Sequence, residues 1–264
     1  MRSSCALGLA LALACTRPPA RVARGVDAEQ AHLRVMTYNV NFGLGGDLAT
    51  LDAIAGGDAD LVLLEEITPE WEVALRRDLA GLYPHMTFHH APGAGGLAIL
   101  ARLPFEEKDL VPSPTGWFPA LRLVAETPIG PVQVLVVHLH PPASDGGSYL
   151  SPSAYLEAPG WRRAEMEAFF AHLDPSLPTV VAGDFNETGD GRAVAYLEAH
   201  GLRSALPEFH PHAATWHWAT SVGTLSAQFD HIVYDPRLDP LDARVLDAGR
   251  SDHLPVVADF VRAR

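Results

Sequence analysis

Nine polar residues interrupt apolar segments of the chain or stand at their exits: Asn39, Glu66, His138, His140, Asp184, Asn186, Asp230, Asp252 and His253. Such side chains are costly to take out of water unless they bind something or one another. The stretch "VVAGDFNETGD" shows the pattern: an apolar run stops at a glycine, and a carboxylate and a carboxamide follow with one phenylalanine between them. On an extended chain residues two apart face the same way, which would send Asp184 and Asn186 into one cleft. The set holds no thiol and no serine beside a base, which argues against covalent acyl chemistry. Its oxygen donors suit Mg2+ or Mn2+ with substrate phosphate completing the shell, whereas structural zinc wants cysteines or several histidines at short fixed spacings. "SDHLP" adds a proton-handling half, because a histidine working near neutral pH needs an orienting acceptor, and Asp230 in "FDHIVY" could be that acceptor for His253. Metal, oriented water, imidazole and amide donors together describe hydrolysis at phosphorus.

Singly, each residue has an ordinary explanation. Asp184 could begin an Asx-turn, Asn186 could cap the helix near Arg192, and His253 could be a structural histidine. Glu65 reads as bland because it takes the face of its strand opposite Glu66. "TWHW" reads as packing at a strand, with base stacking by Trp117, Phe118 or Trp216 as a lesser alternative. Joint occurrence sets the chosen residues apart.

The elements that must position them are strands in the main. "LRVMTYNV" alternates, and "DLVLLEEI" is a buried strand with its charge held to the end. The segment from Leu48 to Ala55 has helical spacing, and Thr68 caps a second helix with Pro69 in its first turn. Further strands are expected at "GLAILA", "ALRLVAE", "PVQVLVVHLH", "TVVAGDF", "FDHIVYD", "ARVLDA" and "PVVADFV", and helices at "GWRRAEMEAFFAHL" and "GRAVAYLEAHG", the latter stopped by Gly201. Strands often follow one another directly, so the domain is α+β. Residues 141–160 read as one long loop of the kind that tends to carry function.

The 264 residues are 48% hydrophobic and 19% charged, enough for one sizeable domain, here 32–264. A formal net charge of -13 disfavours tight sequence-blind binding to nucleic acid. Residues 1–15 read as an export signal: Arg2 gives a positive start, Cys5 to Ala14 is an apolar run too short to span a bilayer, and Ala12-Leu13-Ala14 is a small-x-small cleavage signature. Cys15 follows directly, as in the lipobox of bacterial lipoproteins, which would anchor the protein in a membrane; plain cleavage is the alternative. Residues 16–31 read as a linker. Both cysteines, Cys5 and Cys15, fall before the domain, which leaves it without a disulfide or thiol nucleophile.

The segments "TYNVN", "LLEEI", "GGLAIL", "VVHLH", "GDFN", "FDHIVY" and "SDHLP" stand in the order and spacing of the endonuclease/exonuclease/phosphatase superfamily, the deoxyribonuclease-I-like fold, and the chain resembles that family from about Arg34 to Phe260. The resemblance implies a four-layer α/β/β/α sandwich with its site where strand ends converge. By it Glu66 is the principal metal ligand, with Asn39 and Asp252 in support. Asp184 would orient or deprotonate the attacking water, Asn186 would bind phosphoryl oxygens, and His253, held by Asp230, would bind or protonate at the phosphate. His138 is the mid-chain histidine of choice, with His140 second. Asn41 stands where several nucleases of the family carry aspartate. The expected activity is that of an exported, monomeric Mg2+-dependent phosphodiesterase acting on nucleic acid, a lipid head group or an inositol phosphate; the rival of another class is a non-catalytic binding module.

Overall fold

A computed structural model of the chain describes residues 19–27, 29–142 and 152–264. The expected signal, Cys15 and residues 143–151 of the expected loop lie outside them. Two six-stranded mixed sheets face each other. The first, in spatial order, comprises β13 (Leu238–Val245), β14 (Val256–Arg262), β1 (Leu33–Asn39), β2 (Leu61–Glu65), β4 (Leu97–Ala101) and β3 (His85–His89). The second comprises β5 (Phe105–Val111), β6 (Ala120–Thr127), β7 (Gly130–His138), β8 (Thr179–Asp184), β12 (Asp230–Tyr234) and β9 (Arg203–Ser204). A separate hairpin pairs β10 (Trp216–Thr220) with β11 (Gly223–Ala227).

Side-chain alternation divides each central strand between two layers. Val35, Leu63, Val134, Val136, Ala182 and Val256 meet between the sheets, and Met36, Leu64 and Val257 face outward. The outer face of the first sheet is covered by α1 (Leu48–Gly56) and α2 (Pro69–Leu79), which contribute Leu51, Ile54, Trp71 and Leu75. That of the second is covered by α3 (Pro152–Phe170) and α4 (Arg192–Ala199), through Met166, Phe169, Val194 and Leu197. The expected four layers are therefore present. Asp47 and Thr68 cap α1 and α2 with their side-chain oxygens.

The helix expected from Gly160 begins earlier: α3 already runs from Pro152 and carries Pro159 inside it. Much of the segment read as a loop is thus helix, since Ala154 and Ala158 are buried and tertiary packing outweighs the one hydrogen bond a proline forfeits. The turn expected at Ile129-Gly130-Pro131 falls earlier too, with Thr127 opposite Gly130. No described helix is long and apolar enough to cross a membrane.

Each sheet contains one parallel pair, β1 with β2 and β7 with β8, and the four strands end together. The cleft lies at this end. At the opposite end α5 (Leu206–Phe209) closes the sandwich, and residues 19–27 lie along it: the amides of Arg21 and Arg24 bond the carbonyls of Glu208 and Leu241, and both guanidinium groups pair with Asp239.

Candidate active site

At the exits of the parallel pairs, β1 places Asn39 opposite Glu65, and β7 places His138 opposite Asp184, which in turn faces Asp230 on antiparallel β12. Gly183 explains why "GDFN" begins with glycine: at its φ of 143° an added Cβ would lie 1.8 Å from the Val137 carbonyl oxygen. The Gly96 of "GGLAIL" is similar, with Ile67 O only 1.9 Å from where a Cβ would stand. Both permit the close strand-end approach on which the cleft depends.

Asp184 is the hub. Its Oδ2 accepts from Asn39 Nδ2 at 3.2 Å and lies 3.5 Å from His138 Nε2 and 3.6 Å from His253 Nε2, while Oδ1 accepts the Asn186 amide at 2.8 Å. Asn39 Nδ2 also donates to Glu66 Oε1 at 3.1 Å, so one carboxamide ties the carboxylates of the two sheets together. His253 Nδ1 reaches both oxygens of Asp230 at 3.0 and 2.9 Å, an orienting bond that leaves Nε2 toward Asp184. His138 Nδ1 donates to the Ala94 carbonyl at 3.1 Å, and its ring lies against Phe118. Asp184, Asp230 and His138 are almost wholly buried.

Burial alone would lower the His253 pKa, but Asp230 and Asp184 together override it and hold the imidazole at about 10. Burial pushes Asp230 up, against the pull of His253. Both groups are thus shifted upward, and the arrangement the 2.9 Å contact supports is an imidazolium facing a carboxylate. Glu65 is a different case: wholly buried beneath the cleft, it accepts from Thr37 through Oε1 and has no partner at Oε2, and burial raises its pKa well above the usual carboxylate range.

Three of the four non-glycine residues at positive φ among the described residues belong to this region: Asn41 at 63°, Glu66 at 64° and Asn186 at 52°. Such conformations are uphill for side-chain-bearing residues and persist where surrounding bonds over-determine them. For Glu66 the left-handed turn after β2 directs the carboxylate to Asn39 and to the backbone amide of Phe42. For Asn186 it corrects the extended-chain expectation: Asp184 and Asn186 share the site through an Asx-like turn, and Asn186 Nδ2 donates to Leu139 O, bracing β8 against β7.

Asp252 joins from the loop before β14. Asn41 donates its amide to Asn39 Oδ1 and its Nδ2 to Asp252 Oδ1; Ser251 Oγ donates to Asn39 O. Asn39, Glu66, His138, Asp184, Asn186, Asp230, Asp252 and His253 are thus brought into one connected cluster. His140 is not in it. Past the end of β7, its ring packs between Trp117 and Trp161, its amide donates to Glu165 and its carbonyl accepts from Arg162.

Trp216, read from sequence as packing or base stacking, instead donates its indole Nε1 to Asp252 Oδ2 at 3.3 Å, and reasoning from sequence missed the buried Arg162 and Glu165 that fix the chain beyond His138. Arg162 and Glu165 stand among further charges at Arg163 and Glu167, and nothing local marks which of the four are buried. Trp216 carried no signal beyond its aromaticity.

Within the cluster the partly open Glu66, Asp252 and Asn41 and the buried Asn39 offer carboxylate and amide oxygens and no sulfur, a set that fits a hard divalent cation. The closest geometric grouping of potential ligands among the described residues is Asp184, Asp230 and His253, but there Asp230 is already engaged by the imidazole.

The model of the endonuclease/exonuclease/phosphatase family matches residues 36–253. The chain belongs to this family. Members of the endonuclease/exonuclease/phosphatase family are metal-dependent phosphoric ester hydrolases, and the chain is an enzyme of that class. A search of curated proteins gives no match. Similar solved structures include an endonuclease/exonuclease/phosphatase from Beutenbergia cavernae (20% identity, TM-score 0.67, covering 89% of this chain and 72% of that one). The human nocturnin catalytic domain with bound sulfate matches at 20% identity and TM-score 0.67, over 89% of this chain and 96% of its own. An AP endonuclease from Archaeoglobus fulgidus matches at 18% identity and TM-score 0.61, over 86% and 98%. At these identities the similarity establishes the fold.

Proposed function

We propose that the chain is an exported, monomeric, Mg2+-dependent phosphodiesterase. The observation that carries this reading is the Asp184 carboxylate, held by Asn39 and faced by two histidines at one strand-end cleft. Glu66, Asn39 and Asp252 would hold the ion, which when bound supplies charge neutralisation at the phosphoryl oxygens. Asp184 positions water and takes its proton as the water oxygen bonds to phosphorus; the opposite P–O ester bond breaks, and the leaving oxygen receives a proton from the histidine side. His253, charged and oriented by Asp230, and His138 face the accumulating negative charge. Asn186 braces this arrangement and lies within it as a phosphoryl donor.

Export rests on the leader-like residues 1–15, with the cell envelope or the exterior as destination. Cys15 would carry an acyl anchor; a Cys15→Ser protein that fractionates with membranes like its parent refutes that anchor.

The reaction is tested on a soluble chromogenic diester, bis(p-nitrophenyl) phosphate, with and without EDTA. The parent should turn over only with Mg2+, and Asp184→Ala and His253→Ala should each lose about a hundredfold or more while keeping the parent's circular dichroism. Turnover indifferent to chelator and to both substitutions defeats the proposal and favours a binding module.

A further inference from the structure

The hairpin β10–β11 stands beside the cleft and is physically part of it at its base. Trp216 bonds Asp252 through its indole and pairs with His253 through a backbone bridge, and the His217 amide donates to Asp252 O at 2.8 Å. Beyond that base the hairpin presents apolar side chains to solvent. Trp218 and Leu225 lie directly opposite each other in the ladder and are 51% and 59% exposed; Val222 at the tip is 95% exposed. Phe42, whose amide bonds Glu66, is also exposed, as are Tyr155 and Leu156 in the first turns of α3.

Charge decides what such a rim fits. From Phe209 to Phe229 the chain holds no Asp, Glu, Lys or Arg, although 19% of all its residues are of these types. A polyanion is gripped by lysine and arginine, and this segment has none to offer. An apolar, uncharged, tryptophan-bearing edge fits the boundary between lipid head groups and acyl chains, where indole finds both its environments. The overall charge of -13 favours a zwitterionic surface over an anionic one.

The geometry points to the rim formed by Trp218, Val222 and Leu225 as a seat on a zwitterionic lipid surface that presents a head-group phosphodiester to the cleft. This rests on the phosphodiesterase reading above and names its substrate class.

The test uses the full chain carrying Cys15→Ser, so that no acyl group binds vesicles in the rim's place, with phosphatidylcholine vesicles as probe. The expected result is co-sedimentation with the vesicles and a blue shift of tryptophan emission. Trp218→Ser/Val222→Ser/Leu225→Ser should weaken partitioning about tenfold or more, with a smaller loss for Trp218→Ser alone, and neither should alter hydrolysis of the soluble diester. Protein that stays in the supernatant overturns the inference. So does a triple variant that binds as well as its parent, or one whose only change is weaker binding to a DNA duplex or loss of self-association. Because vesicle binding is read without turnover, absence of Mg2+-dependent hydrolysis would remove the phosphodiesterase reading and leave the lipid seat separately measured.

Discussion

The two sheets serve the cleft in unlike ways. The first, through the ends of β1 and β2 and the approach to β14, contributes Asn41, Glu66 and Asp252, all partly open to solvent, the first two held at positive φ and the third bonded by the side chain of Asn41. The second, through β7, β8 and β12, contributes His138, Asp184 and Asp230, buried and already paired among themselves and with His253. Under the proposed reaction, that difference would separate ion exchange from proton orientation. Oxygen donors that must take up a hydrated ion need access to water, whereas groups that move a proton work best pre-set in a medium of low dielectric. Asn39, bonded to Glu66 and Asp184 alike, joins the halves.

Substitutions that strike one half only should separate them. Asp230→Asn leaves the open half intact and removes the negative charge that orients His253; kcat on the soluble diester should fall about a hundredfold to a thousandfold with KM and the Mg2+ requirement little changed. Glu66→Gln should instead raise the Mg2+ concentration for half-maximal rate, about tenfold or more, with much of the rate regained at high Mg2+. If Glu66→Gln and Asp230→Asn respond to Mg2+ alike, the division between halves is wrong. Trp216→Phe removes the indole donor to Asp252 and keeps the ring; its effect should be a severalfold rise in the Mg2+ requirement, the size of one lost hydrogen bond of about 1 kcal/mol.

The smallest effect is on stability, at Glu65. Its pKa is raised by burial in the fold from an ordinary 4.5, so the folded state holds the proton more tightly than the unfolded chain. Stability from this group is therefore full below about pH 4.5 and declines as pH rises toward the folded value. Glu65→Gln removes that decline and keeps an acceptor for Thr37. Its thermal midpoint should exceed the parent's at pH 8 by about 2 to 4 °C for ~1 kcal/mol, with the gap narrowing toward pH 5. A lower midpoint at pH 8 would show that the acid is required there.

Much of this was legible in the chain. Strand alternation, the Asp47 and Thr68 caps and the polar strand exits depend on near neighbours, and those neighbours are what a sequence displays. The placement of Glu66 on the side away from Glu65 was also readable, though the left-handed turn that achieves it was not, since no glycine marks it. What escaped depends on partners far along the chain. Trp216 meets Asp252 from 36 residues away and Asn41 meets it from 211, and neither residue type announces such a bond. The early start of α3 escaped because Pro159 and the small polar residues before it signal a loop locally, while burial of Ala154 and Ala158 acts only once the sheet is in place.

The strap of residues 19–27 runs along the end of the sandwich farthest from the cleft, pinned by Arg21 and Arg24 to Asp239. Ties at that pole, where Arg21 also meets Glu208, can loosen without disturbing the catalytic mouth, which is built from the other ends of the same strands.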